Sequence, residues 1–190
     1  MPTQQVEPEL EQPFNKIHFG EVFRNPPVPH VPANTLLFDA GPLSIGVEYR
    51  HLSEEILAEV YGAKRAAEII AERFGDPELQ SETESFNSGV SIHVFEAGTG
   101  IEHLRFDDLD AKKHYHYLRS DGQHAVVWYD DVANGDLVAW AVASLRDRAA
   151  SMLELAGAGD LAARVDGDAL ARVLPQVEAA ARAQAVQPAS

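Results

Sequence analysis

His114-Tyr-His-Tyr-Leu-Arg-Ser-Asp-Gly-Gln-His-Ala-Val-Val-Trp-Tyr129 is the stretch that decides the fold. Two runs of aromatic and β-branched residues flank Asp121-Gly122, and Asp-Gly is the preferred centre of a two-residue type I′ hairpin turn. That turn predicts Tyr117 opposite Val126, Tyr115 opposite Trp128, His116 opposite Val127 and His114 opposite Tyr129. One face then carries Tyr115, Tyr117, Val126 and Trp128. The other carries His114, His116, Leu118, Ala125, Val127 and Tyr129. A sheet with one solvated face shows a cleaner alternation than this. Both faces are therefore expected to be covered, one by helices and the other by the N-terminal segment, the first hairpin or a second subunit.

Upstream, Val90–Glu96 and Ile101–Phe106 flank Ala97-Gly98-Thr99-Gly100 as a second hairpin. Pairing Ile92 with Leu104 and Val90 with Phe106 makes one face apolar and sets His93 against His103. Asp107 to Lys113 reads as a charged connection. Further upstream, Thr35–Ala40 and Leu43–Arg50 read as strands about a Gly41-Pro42 turn. Ser53 is a credible helix N-cap with Glu54 and Glu55 behind it. Ile56, Val60, Ala63, Ala67, Ile70 and Phe74 recur at helical spacing, and Gly75-Asp76-Pro77 marks the stop. Glu78 to Ser88 is a polar loop.

Downstream, Asn134-Gly135-Asp136 is a turn and a cap. Val138, Val142, Leu145, Ala149 and Met152 form a helical stripe that ends at Gly157 and Gly159. The remainder is alanine-rich and helical, with Pro175 as a kink or a helix start. The fold class is thus α+β: an antiparallel sheet of about five to six strands, an early helix and a C-terminal helical region. Three segments follow from this: an extended Pro-rich arm over 1–34, an α+β core over 35–156 and a helical extension over 157–190.

The arm's prolines are too frequent for a helix and remove donors from any ladder. Phe14, Ile17, Phe19, Val22 and Phe23 nevertheless form an apolar cluster within it. These are anchors, docking either on the body of the same chain or on another protein.

The chain's 190 residues carry a formal charge of −15, with a pI near 4.8. Such a field repels phosphate backbones and anionic lipid, which argues against nucleic-acid binding. No apolar run approaches the ~18 residues of a membrane span. Met1 to Gln12 has neither the basic start nor the apolar core of a secretory signal. The absence of cysteine excludes disulfides, thiolate zinc sites and cysteine nucleophiles, and fits a cytoplasmic protein. No P-loop, dinucleotide fingerprint, nucleophile elbow or H-E-x-x-H motif is present.

The strongest chemical pattern is His114-x-His116. Alternate strand residues lie ~6.6 Å apart on one face, and two imidazoles can converge on one ion such as zinc. A third ligand could come from His93, His103, Asp107, Asp108, Asp110 or Glu48. His and Tyr also fit half-buried strands, so packing is the competing account. Asp107 or Asp110 could instead orient His114 for acid–base chemistry. Asp107-Asp108-x-Asp110 lacks the spacing and closing Glu of a calcium loop.

Two functions are expected from this reading. The first is a non-catalytic accessory or assembly subunit that docks on a larger protein through the arm and self-associates as a homo-oligomer. The alternative is a small metal-dependent enzyme or sensor with a His-lined pocket on the sheet, built on His114 and His116 with His93 and His103 nearby.

Overall fold

The computed structural model describes residues 20–24, 26–74, 87–110 and 112–186. Seven antiparallel strands form one sheet: β1 (Gly20–Phe23), β2 (Thr35–Ala40), β3 (Leu43–Leu52), β4 (Asn87–Glu96), β5 (Glu102–Leu109), β6 (His114–Leu118) and β7 (His124–Trp128). The α+β class holds, and the strand count exceeds the expected five to six. Strands β2 to β7 run as a meander, and β1 returns to pair with β7, giving the order β1-β7-β6-β5-β4-β3-β2. The additional strand lies inside the Pro-rich arm. Residues 14–25 contain no proline, so Gly20–Phe23 keeps every ladder donor.

The hairpin of β6 and β7 forms one residue out of the expected register. Tyr117 faces Ala125, His116 faces Val126, Tyr115 faces Val127 and His114 faces Trp128. Arg119 N donates to Gln123 O at 2.9 Å and Gly122 N to Arg119 O at 3.1 Å, so the loop has three residues rather than two. A type I′ turn would force Asp121 to positive φ. Here only Gly122 goes there (φ +88°), and no non-glycine residue does among those described. The consequence is that Val126 and Trp128 share the histidine face, not the tyrosine face.

In the hairpin of β4 and β5, Ile92 faces Phe106, Val94 faces Leu104 and His93 faces Arg105, with a bulge between Val94 and Phe95. This two-residue shift preserves the apolar face but removes His103 from His93. The bulge brings Glu102 opposite Phe95 instead.

The apolar face is covered by α4 (Leu137–Leu155) and α6 (Gly167–Ala185), which share one core with Ile45, Ile92, Leu104, Phe106 and Tyr117. Short helices α3 (Asp131–Asn134) and α5 (Gly159–Ala162) connect them to their neighbours, and α6 continues through Pro175. Asp136 caps α4 by accepting from Ala139 N at 2.8 Å.

The expected early helix is two helices, α1 (Glu54–Tyr61) and α2 (Ala63–Phe74), divided at Gly62 (φ +84°). Ser53 caps α1 as anticipated. The buried stripe is Leu57, Ala66, Ile69 and Ile70, while Val60 is exposed: the break at Gly62 resets the helical phase. These helices and the segment Pro26–Val31 lie over the opposite, histidine-bearing face.

Candidate metal centre and pocket

Register places the functional side chains in rows across the sheet. One row runs Glu48, Ser91, Asp107, His114, Trp128 through β3 to β7. The next runs Gly46, His93, Arg105, His116, Val126. All point away from the α4/α6 core, because side chains alternate and Leu104 and Phe106 occupy the core positions of β5. This face is buried but polar, and nearly every charge on it has a partner, as buried charge requires.

The centre of the two rows is Asp107. Its Oδ2 lies 3.2 Å from His114 Nε2 and 3.0 Å from His116 Nε2. Ser91 Oγ donates a short hydrogen bond to the other oxygen, Oδ1. Burial alone would raise the Asp107 pKa, but the hydrogen bonds of His114 and His116 outweigh it and hold the carboxylate well below its usual range. His116 is pushed down to about 3, first by burial, so its imidazole is neutral at pH 7. Its Nδ1 is buried and makes no hydrogen bond among the described residues.

His114 Nδ1 lies 2.8 Å from the Lys112 carbonyl. A carbonyl only accepts, so that nitrogen carries a proton. Nε2 faces Asp107 Oδ2 at 3.2 Å, an arrangement met by a proton between the two atoms or by a metal ion in its place. A backbone carbonyl fixing the far nitrogen is the usual outer contact of a metal-ligating histidine. Ligand atoms ~2.1 Å from one ion are separated by roughly 3.0–3.4 Å, for octahedral and tetrahedral angles respectively. The observed 3.0 and 3.2 Å fall in that range.

His93 forms a separate constellation. Its Nδ1 is 2.7 Å from Glu102 Oε1, and its Nε2 is 3.2 Å from Glu48 Oε2. Arg105 grips Glu102 through Nε at 2.8 Å and Nη2 at 2.6 Å, and donates Nη1 to the Val28 carbonyl at 2.8 Å. Arg50 donates Nη2 to the carbonyls of Val28 and Pro29, each at 3.0 Å. Glu48 accepts from Val31 N at 2.9 Å. This network pins the segment Pro26–Val31 over the sheet.

Between that segment, α1, α2 and the sheet lies a pocket of about 80 Å³. At ~10–15 Å³ per water this is space for several waters or a small ligand. Asp107, His114, His116 and His124 line its floor. Leu57, Ile69 and Trp128 are among its apolar walls, and Arg50, Arg65, Arg105 and Lys112 supply its cations.

Of the four histidines named from sequence, the structure brings His114 and His116 together and separates the other two. His93 belongs to the Glu48/Glu102 network, and His103 sits at the β4/β5 bulge, outside the Asp107, His114, His116 group. Of the six residues considered as a third ligand, Asp107 is the one whose carboxylate joins the His114 and His116 ring nitrogens. Asp108, its neighbour, turns to Lys113 at 2.9 Å, and Asp110 is exposed, so alternation dissolves the apparent acidic cluster. Arg50, Ser91, Glu102 and Arg105 were not anticipated. Arg105-Phe-Asp107 alternation was the available signal: two charges on one face of an apolar strand.

Of the arm residues, Val22 and Phe23 lie in β1, where they face Ala125 and His124. The Phe23 ring stacks on His124 at 5.2 Å. Phe14, Ile17 and Phe19 lie outside the described residues. No helix among the described residues is long and apolar enough to cross a membrane.

Residues 37–181 match the family model of a domain of unknown function, DUF7700. The match covers well over half of the chain, which therefore belongs to that family. No curated protein and no solved structure matches it.

Proposed function

We propose that this protein is a small metal-dependent enzyme or sensor that holds one transition-metal ion, such as zinc, on Asp107, His114 and His116 and presents it to the pocket. The observation that carries the reading is the convergence of three ligand atoms: Asp107 Oδ2 lies 3.2 Å from His114 Nε2 and 3.0 Å from His116 Nε2, while His114 Nδ1 is committed to the Lys112 carbonyl. Two imidazoles and a carboxylate suit zinc, and also ferrous iron with open positions. Three protein ligands leave a position for water or substrate. A metal there acts as a Lewis acid and brings a bound water's pKa to ~7.

Dialysed protein should bind one equivalent of Zn²⁺ in a competition titration with a chromophoric chelator. The double variant His114→Gln/His116→Gln should lose that binding while retaining the circular-dichroism spectrum of the wild type. Failure of wild-type protein to take up Zn²⁺, Fe²⁺, Co²⁺ or Mn²⁺ at micromolar concentrations would sink the reading. The accessory-subunit alternative rests on Phe14, Ile17 and Phe19, which lie outside the described residues. For the described part of the arm, pairing of β1 with β7 supports docking on the chain's own body.

A further inference from the structure

The chain carries a formal charge of −15, yet its pocket inverts that sign. The charged residues that line it are Arg50, Arg65, Arg105 and Lys112 against Asp107 alone. Their commitments differ. Arg105 is held by both oxygens of Glu102 and by a carbonyl. Lys112 Nζ lies over the Trp128 ring at 3.5 Å, on the rim. Arg65 pairs with Glu68 at 3.1 Å.

Arg50 is different. It is only 5% exposed, and only its Nη2 is used, on the carbonyls of Val28 and Pro29. Its Nε lies 3.9 Å from Glu48, beyond hydrogen-bond range. Nη1 makes no hydrogen bond among the described residues, although the side chain lines the pocket. A buried guanidinium whose Nη1 donors are unspent offers a charge-assisted hydrogen bond to one oxygen of an oxyanion in the pocket.

We propose that the pocket binds a small organic carboxylate with a compact apolar body, its carboxylate on Arg50 and its body against Leu57, Ile69, Leu109 and Trp128. This deepens the metal-pocket reading and rests on it for the role of the ligand as substrate or signal. One open donor group, Nη1, matches one oxygen of a monoanionic carboxylate. A phosphate dianion needs more donors than Arg50 offers with Arg105 already spent on Glu102. The apolar walls demand a body that benefits from leaving water.

The test is calorimetric titration of chelator-stripped protein with benzoate and hexanoate, against benzamide, hexanamide and inorganic phosphate. The acids should bind roughly tenfold or more tightly than their amides, because only they meet the guanidinium. Arg50→Gln should erase that preference. Because Arg50 also ties down Pro26–Val31, Lys112→Gln on the rim is the second variant. It should keep the wild-type denaturation midpoint, bind both acids a few-fold more weakly and show a shallower salt dependence.

Amides binding as well as acids would overturn the proposal, as would phosphate binding best. So would carboxylates that bind only after zinc is added, since the metal would then be their anchor. Stripped protein that prefers carboxylates but takes up no metal leaves this inference standing and removes the metal reading.

Discussion

His116 is neutral because it is buried, and that neutrality has a thermodynamic signature. Its folded pKa of about 3 lies below the unfolded value near 6.5. Between those values the unfolded chain binds more protons, so stability falls as pH drops from 6.5 toward 3 and is level above 6.5. From pH 6.5 to 5 the loss assigned to His116 is about 2 kcal/mol. Urea midpoints of chelator-treated protein should therefore decline over this range, and His116→Gln should flatten that part of the slope. Identical slopes would place the His116 proton elsewhere. Asp107 adds a loss of the same sign below its unfolded value near 3.8, because its folded pKa is also depressed. Gly46 is a second single-residue control point. A Cβ there would stand 2.8 Å from Thr35 Cγ2 and 2.9 Å from Phe95 Cε2, with His93 Cβ at 3.3 Å. Gly46→Ala should lower the unfolding free energy by about 1–3 kcal/mol through overpacking, without affecting zinc stoichiometry, because His93 is not in the Asp107, His114, His116 group.

At the scale of elements, helix ends carry separable energies. Asp136 Oδ1 caps α4 and also accepts from Arg182 of α6 at 3.0 Å. Asp136→Ala should cost about 1 kcal/mol, most of it from the cap rather than the exposed ion pair; a thermal-denaturation shift of the same size in Arg182→Ala would reverse that ranking. Much at this scale was readable from sequence: the two hairpins, the Ser53 and Asp136 caps, and the His114/His116 face. What was not readable has local physical causes. The register of β6/β7 depended on whether Asp121 would tolerate positive φ, and Ser120 joined the loop so that it did not have to. The β4/β5 register depended on a bulge that no residue type announces. The stripe of α1 and α2 differs from the expected one because the spacing reads as one continuous helix, whereas Gly62 (φ +84°) breaks it in two. Asp107 was one of six candidate ligands until a register chose it. Arg50 needed tertiary structure, since its partners Val28 and Pro29 are more than twenty residues away, and Glu102 needed the β4/β5 bulge that brings it to His93.

For the whole molecule, the sheet separates two environments. One face is a conventional apolar core under α4 and α6. The other is a buried charge network closed by α1, α2 and Pro26–Val31, and its closure depends on the N-terminal segment. Removing residues 1–31 deletes β1 and the carbonyls of Val28 and Pro29 that accept from Arg50 and Arg105. Leaving buried guanidinium groups without acceptors costs several kcal/mol. The truncated chain should show a markedly lower denaturation midpoint and lose zinc binding with the pocket. A truncated chain of unchanged stability would assign the arm to a partner instead.

Strand β1 is synthesised before any of its neighbours, yet its pairing with β7 joins Gly20 to Val127. More than a hundred residues must leave the ribosome before that ladder can zip, and non-local pairing of this kind is slow. The earliest of the described strands is therefore the last to find its place, and until it does the sheet carries an open side next to His124. Until then the Phe23 ring cannot stack on His124, and that side of the histidine-bearing face is reachable from solvent.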